Sequence, residues 1–239
     1  MNSHAQFVKL YPTNWWAGMN HNKVQVLVRA DKRNIQDIKV SIDYPGITLK
    51  KVHQFENAHY LALDIFISPA AKPGVVKINF GGDLVNWPLQ ARREGNGTKY
   101  ANGATAADLM YLIMPDRFSN GDPTNDRIKG MKDQTLRRDT VFNRHGGDLK
   151  GVQNHLDYLH ELGVTAIWLN PVIENDMPER TEHGYAFTDH YSIEPRIGGA
   201  PAYKSLVDAA HAKGIKIIQD AVYNHVGLEH FLFKDQPDS

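Results

Sequence analysis

An acid, an amide and an imidazole crowd together at Asp220, Asn224 and His225, just past the apolar run of Ile215, Ile217 and Ile218. Buried parallel strands read as near-continuous apolar runs, whereas such polar groups make poor core. The pattern therefore predicts a strand delivering three polar side chains to its carboxyl end, where parallel α/β enzymes keep their chemistry. A second group, Glu182-His183-Gly184-Tyr185, lies in a long loop that also carries Phe187 and Tyr191. Aromatic planes stack on the apolar C–H faces of sugar rings, and a glycine before an aromatic lets a loop approach a ligand closely. The same aromatics also read as packing against the domain. A third group gathers Asn120, Asp122, Asn125 and Asp126 within a short loop after an apolar run. Hard oxygen donors at this density suit Ca²⁺, although an Asx-rich loop with Gly and Pro also reads as self-bonded turns, and EF-hand spacing is absent.

The elements that must position these groups fall into two grammars. From Phe7 to about Arg92, alternating apolar residues in Lys23–Arg29, Tyr60–Ile67 and Val75–Phe80, punctuated by Pro45-Gly46, Pro73-Gly74 and Gly81-Gly82, predict a small antiparallel, Ig-like β-sandwich over residues 1–93. Trp15 and Trp16 stand before its first clear strand, one expected to enter the core and one to cover an edge, with a sugar-stacking platform as the alternative. A Gly/Asn/Ala-rich linker covers 94–104. From 105 to 239 the pattern becomes strand, helix, strand, helix, strand. Leu109–Met114 and Val164–Leu169 read as buried strands. Leu149–Leu162 carries a helical stripe that Asp148 is placed to cap and Gly163 to end, and a second helix spans about Ala202 to Lys213. Such alternation implies a parallel sheet with right-handed crossovers. Three strands are too few for either a closed barrel, which needs eight strand-helix units, or a complete doubly wound sheet, so the chain looks cut short.

Composition narrows the chemistry. The chain has 239 residues, with 27 basic and 27 acidic side chains and a formal net charge of zero, which gives no electrostatic footprint for nucleic acid or an anionic membrane and suits a neutral ligand. With 0 cysteines there is no disulfide and no thiolate metal site. No apolar run has the length of a membrane span, and no strand is followed by a Gly-x-Gly-x-x-Gly or Walker-type loop. Ser3-His4-Ala5 reads as an ordinary flexible terminus.

The stretch Asp220-x-x-x-Asn224-His225 resembles the first conserved region of the α-amylase superfamily, glycoside hydrolase family thirteen. The loop Asn120-Gly-Asp-Pro-Thr-Asn-Asp126, with Gly146-Gly147-Asp148, is similar to the calcium-binding loop of its neopullulanase and cyclomaltodextrinase branch, and Asn14–Met19 looks like that branch's amino-terminal domain. The resemblance implies Ca²⁺ held by the side chains of Asn120, Asp122, Asn125, Asp126 and Asp148 and the carbonyl of Gly146. It makes Tyr185 the aromatic floor under the sugar at the cleavage point, with His183 beside it. His225 is implied to contact a sugar hydroxyl, Asp220 to orient the catalytic arginine and nucleophile region, and Asn224 to brace the loop. The following segment departs from the family pattern at His190, Glu194 and Ile197.

By the same resemblance, residues 105–239 hold the first part of a (β/α)8 catalytic barrel and the start of its inserted B domain. The nucleophile and general acid are expected beyond Ser239. The implied whole is a retaining hydrolase of α-1,4 links in pullulan, cyclodextrins or maltodextrins. Its partners are an α-glucan oligosaccharide or cyclodextrin and a second copy joined through the sandwich, in the periplasm or outside the cell, with the cytoplasm as the alternative. The alternatives are a non-catalytic glucan-binding or assembly module, and a transglycosylase of the same family.

Overall fold

A computed structural model describes residues 7–93 and 103–236, so nearly all of the expected linker and the Ser3-His4-Ala5 segment lie outside the described residues. These residues divide into two compact units, 7–93 with 235–236 and 103–234.

The first unit is the expected sandwich. One sheet has the order β1 (Val8–Tyr11), β3 (Lys23–Ala30), β6 (Tyr60–Ile67), β5 (Ile47–Gln54). The other has β2 (Trp15–Trp16), β8 (Asp83–Gln90), β7 (Gly74–Phe80), β4 (Val40–Ile42). Alternation decides the inner faces: Val24, Val26 and Val28 from β3 meet Val76, Ile78 and Phe80 from β7 and Val85, Trp87 and Leu89 from β8 in one buried cluster. Each such side chain contributes about 1.5–3 kcal/mol by leaving water. Trp87 also satisfies its indole N–H on the Pro12 carbonyl at 2.9 Å. Trp15 packs against the core and Trp16 is exposed. The expectation of a purely antiparallel sandwich needs one correction, because the two residues of β2 run parallel to Leu89 and Gln90 of β8.

The second unit is built on a parallel sheet of order β13 (Lys216–Gln219), β10 (Ala166–Leu169), β9 (Met110–Ile113). Leu112, Trp168 and Ile218 stand in register across it. Behind it pack α2 (Leu149–Asn154), α3 (Leu156–Glu161) and α4 (Gly199–Ala212), through Leu149, Val152, Leu156, Leu159, Leu206 and Ala210. Asp148 caps α2 by accepting from Gly151 N at 2.6 Å. The single helix expected over 149–162 is two, broken at His155, whose Nδ1 lies 2.8 Å from the Gly151 carbonyl. A second correction concerns burial. Leu112 is 58% and Trp168 39% exposed, because no second layer covers that face among the described residues. The remaining elements are α1 (Pro115–Phe118), the hairpin of β11 (Ile173–Glu174) and β12 (Asp189–Ile193), and α5 (Phe231–Asp235).

Candidate functional site

The carboxyl ends of β10 and β13 supply the groups singled out from sequence. Asp220 follows β13, and a single one of its oxygens, Oδ2, accepts from Tyr185 Oη at 2.8 Å and from Trp168 Nε1 at 3.2 Å. Burial, followed by this bond to Asp220, pushes the Tyr185 phenol pKa up, so the ring stays a neutral donor. His225 donates from Nε2 to the Tyr185 carbonyl at 3.0 Å, since a carbonyl can only accept. The neutral ring therefore has its bare nitrogen at Nδ1, with Asn224 Nδ2 3.4 Å away. His183 stacks on Tyr185 with centroids 5.8 Å apart, and its Nδ1 accepts from Tyr185 N at 2.9 Å. Burial lowers the His183 pKa. All five residues expected here thus come together. Trp168 and Asn170, whose Nδ2 reaches the His183 carbonyl at 3.3 Å, join them.

Two glycines let these loops cross at backbone distance. A Cβ on Gly184, at φ +81, would sit 2.1 Å from the Pro171 carbonyl oxygen, and one on Gly227 would sit 2.4 Å from that of Ala186.

The Asx-rich loop converges on Asp148. Its Oδ1 accepts from Gly121 N at 3.0 Å, and its Oδ2 accepts from Asp122 N at 2.8 Å and Asn125 Nδ2 at 3.1 Å. Asn120 donates to Asp126 Oδ1 at 2.8 Å. The Asp122 carboxylate turns to Thr124 N and Oγ1, bonds that lower its pKa. Gly146, at φ +83, closes over the loop so tightly that a Cβ would meet Asp126 Oδ1 at 2.7 Å. Two buried acceptors there, Asn120 Oδ1 and Asn125 Oδ1, have no donor. Burial, reinforced by the charge of Asp148, raises the Asp126 pKa against the opposing bond from Asn120. Unpartnered oxygens beside a destabilised carboxylate fit a hard cation. Among the described residues no three His, Asp, Glu or Cys side chains gather in metal-holding geometry, so amide and carbonyl oxygens would have to complete the shell.

The sequence matches the α-amylase catalytic-domain family over residues 112–239, more than half of the chain. The chain belongs to the α-amylase family. Residues 9–93 match the cyclomaltodextrinase N-terminal family. Neopullulanase 2 of Thermoactinomyces vulgaris is 45% identical over 130 residues, 53% of this chain and 21% of that protein. A cyclomaltodextrinase of Thermoanaerobacter pseudethanolicus is 39% identical over 133 residues, covering 55% and 22%. The periplasmic α-amylase of Escherichia coli is 38% identical over 129 residues, covering 49% and 19%. The aligned stretch spans about a fifth of each relative.

Beneath the surface of the α-amylase unit lies a charged node that the sequence did not announce. Arg196, fully buried, forms a fork on Glu194 (Nε to Oε1 2.8 Å, Nη2 to Oε2 3.0 Å) and donates to the carbonyls of Asp133 at 2.8 Å and Asn175 at 2.7 Å. Arg144, also buried, reaches Thr181 Oγ1 at 3.4 Å and the Arg196 carbonyl at 3.3 Å, and pairs with Asp116 at 3.6 Å. Asp116 accepts in turn from His145 N at 2.9 Å. Thr181 donates to Asp133 at 2.7 Å, and Asn175 Nδ2 reaches the Thr181 carbonyl at 3.4 Å. The node therefore braces the chain entering His183 and Tyr185 from one side and Gly146 from the other. No helix among the described residues is long and apolar enough to cross a membrane.

Proposed function

We propose that this chain supplies the amino-terminal region of a retaining hydrolase that cleaves α-1,4-glucosidic bonds in maltodextrins, pullulan or cyclodextrins. The convergence of Tyr185, Asp220 and His225 at the carboxyl ends of parallel strands carries the reading. Tyr185 offers a neutral aromatic plane for a sugar ring, and His225 Nδ1 an acceptor for a hydroxyl. Asp220 is already bound by two donors on one oxygen and acts as an orienting anchor. Retention needs two carboxyl groups about 5–5.5 Å apart across the scissile bond, and the groups described here position sugar without supplying that pair. The 239-residue chain is therefore expected to bind maltoheptaose without turning it over.

The same proposal gives Asn120, Asp122, Asn125, Asp126 and Asp148, with the Gly146 carbonyl, to calcium. The ion would neutralise clustered carboxylates and tie the two loops together. A periplasmic or secreted location and a homodimer through the sandwich complete it, and cell fractionation and sedimentation test them. For the site itself, maltoheptaose titration of the parent and Tyr185→Ala, alongside a reducing-sugar assay against heat-inactivated protein, decides. Binding that Tyr185→Ala abolishes, without sugar release, is the expected result. Equal binding by both proteins would move the sugar elsewhere, and sugar release by the chain would place a catalytic pair within it.

A further inference from the structure

His230 is fully buried between two aromatic rings, stacked on Phe231 at 4.6 Å and edge-on to Phe187 at 6.0 Å. Its Nδ1 accepts from Leu232 N at 3.2 Å. A ring nitrogen that accepts carries no hydrogen, so the neutral ring holds its proton on Nε2, which points at His190 Nδ1 3.0 Å away. His190 must then accept at Nδ1 and carry its own proton on Nε2. It sits on β12, exposed on one side and packed edge-on against Phe187 at 4.5 Å on the other.

This pair is the last of three stitches between two segments. His225 donates to the Tyr185 carbonyl at 3.0 Å, Gly227 N donates to the Phe187 carbonyl at 2.8 Å, and His230 meets His190 at 3.0 Å. Of the three, only the last joins two titratable side chains. We propose that His190 and His230 form a proton-sensitive clasp that positions Tyr185 against His225, closed when both rings are neutral and opened by one proton. The clasp touches no sugar; its link to glucan binding rests on the reading of Tyr185 and His225 given above.

The chemistry is one of donor count. A proton added to His190 Nδ1 would face the Nε2–H of His230, donor against donor. A reversal of the His230 ring is opposed because Nδ1 is engaged by Leu232 N and the ring is fully buried with Phe231 stacked on it. Charged neighbours among the described residues include Asp189 beside His190 on β12, and Glu229 beside His230, itself paired with Lys132 and with Lys234 of α5. Burial lowers the His190 pKa and Asp189 only partly opposes it. For a base with a lowered folded pKa, the contribution is fully present above the ordinary imidazole value of about 6.5 and is lost as pH falls through the folded value. His190 is also one of the positions at which this chain departs from the pattern of the family it resembles.

Hydrogen exchange of the 239-residue chain between pH 5 and 8, corrected for intrinsic rates, tests the clasp in peptides spanning 183–191 and 222–231. Protection at pH 7.5 should fall roughly tenfold by pH 5.5, the equivalent of one net hydrogen bond. His190→Ala should lack that protection at both pH values. His190→Asn places an amide oxygen where Nδ1 was and does not titrate, so it should keep the protection without the pH step. A pH step that survives in His190→Asn, or parental protection in His190→Ala at pH 7.5, overturns the clasp. Maltoheptaose affinity, measured in parallel, should drop more steeply as pH falls in the parent than in His190→Asn. If exchange behaves as stated while Tyr185→Ala binds maltoheptaose normally, the clasp stands and the sugar-site reading falls.

Discussion

Replacing Arg196 by Met keeps much of the side chain's bulk and removes one buried guanidinium. Four donated bonds of 2.7–3.0 Å disappear: two to Glu194, one to the Asp133 carbonyl and one to the Asn175 carbonyl. Adding them at the usual worth of a charged hydrogen bond would overshoot, because folding had already removed both ions from water. What remains decides the cost. Glu194 keeps backbone donors from Asn175 N and residue 196 N, both at 2.9 Å, but loses its counter-charge while only 4% exposed. Breaking such a buried pair on one side costs about 3–5 kcal/mol, and the loss should centre on the α-amylase unit. Adding Glu194→Gln removes the stranded charge and should recover about half of it. Because the two units need not unfold together, residue-resolved hydrogen exchange is the suitable assay, with the largest change expected in 172–187. An Arg196→Met cost below about 1 kcal/mol, or a double variant no more stable than the single one, would refute the stranded-charge reasoning.

Gly184→Ala combines a left-handed backbone with a Cβ only 2.1 Å from the Pro171 carbonyl oxygen, and should cost about 2 kcal/mol or more, read by the same exchange measurement. Calcium should raise the melting temperature of the chain at pH 7, and the increment should shrink as pH falls through the raised pKa of Asp126, since protons then compete with the ion; Asp126→Asn should flatten that pH dependence in differential scanning calorimetry. Tyr185→Phe keeps the ring but drops the bond to Asp220, so maltoheptaose affinity in calorimetric titration should fall by about 1 kcal/mol, less than in Tyr185→Ala.

The sandwich was legible wherever period-two alternation was clean, as in Lys23–Arg29 and Tyr60–Ile67. β8 was not read, since Pro88 argues against a sheet interior; it is tolerated there because the two-residue pairing with β2 begins only at Leu89. The stripe from Leu149 to Leu162 gave helix correctly but was blind to the break, which depends on one polar position, His155. Asp220, Asn224 and His225 stood out because polar types interrupt an apolar run. Trp168 did not, since a tryptophan inside a strand reads as core, and its partner lies 52 positions away in the chain. Arg144 and Arg196 were hidden for a related reason: arginine reads as surface, and only tertiary packing reveals that these two are enclosed.

Trp168 also gives the α-amylase unit an optical property. The chain has four tryptophans, and Trp15, Trp16 and Trp87 all belong to the sandwich, which leaves Trp168 as the one indole of the other unit. It is partly open to solvent, and its N–H is polarised by the Asp220 carboxylate that also holds Tyr185. Tryptophan emission, excited at the red edge where tyrosine does not absorb, from a chain in which the three sandwich tryptophans are changed to phenylalanine therefore originates at the candidate sugar site alone. A solute that contacts that carboxylate or turns Tyr185 should alter the colour and yield of this single tryptophan, with no label attached.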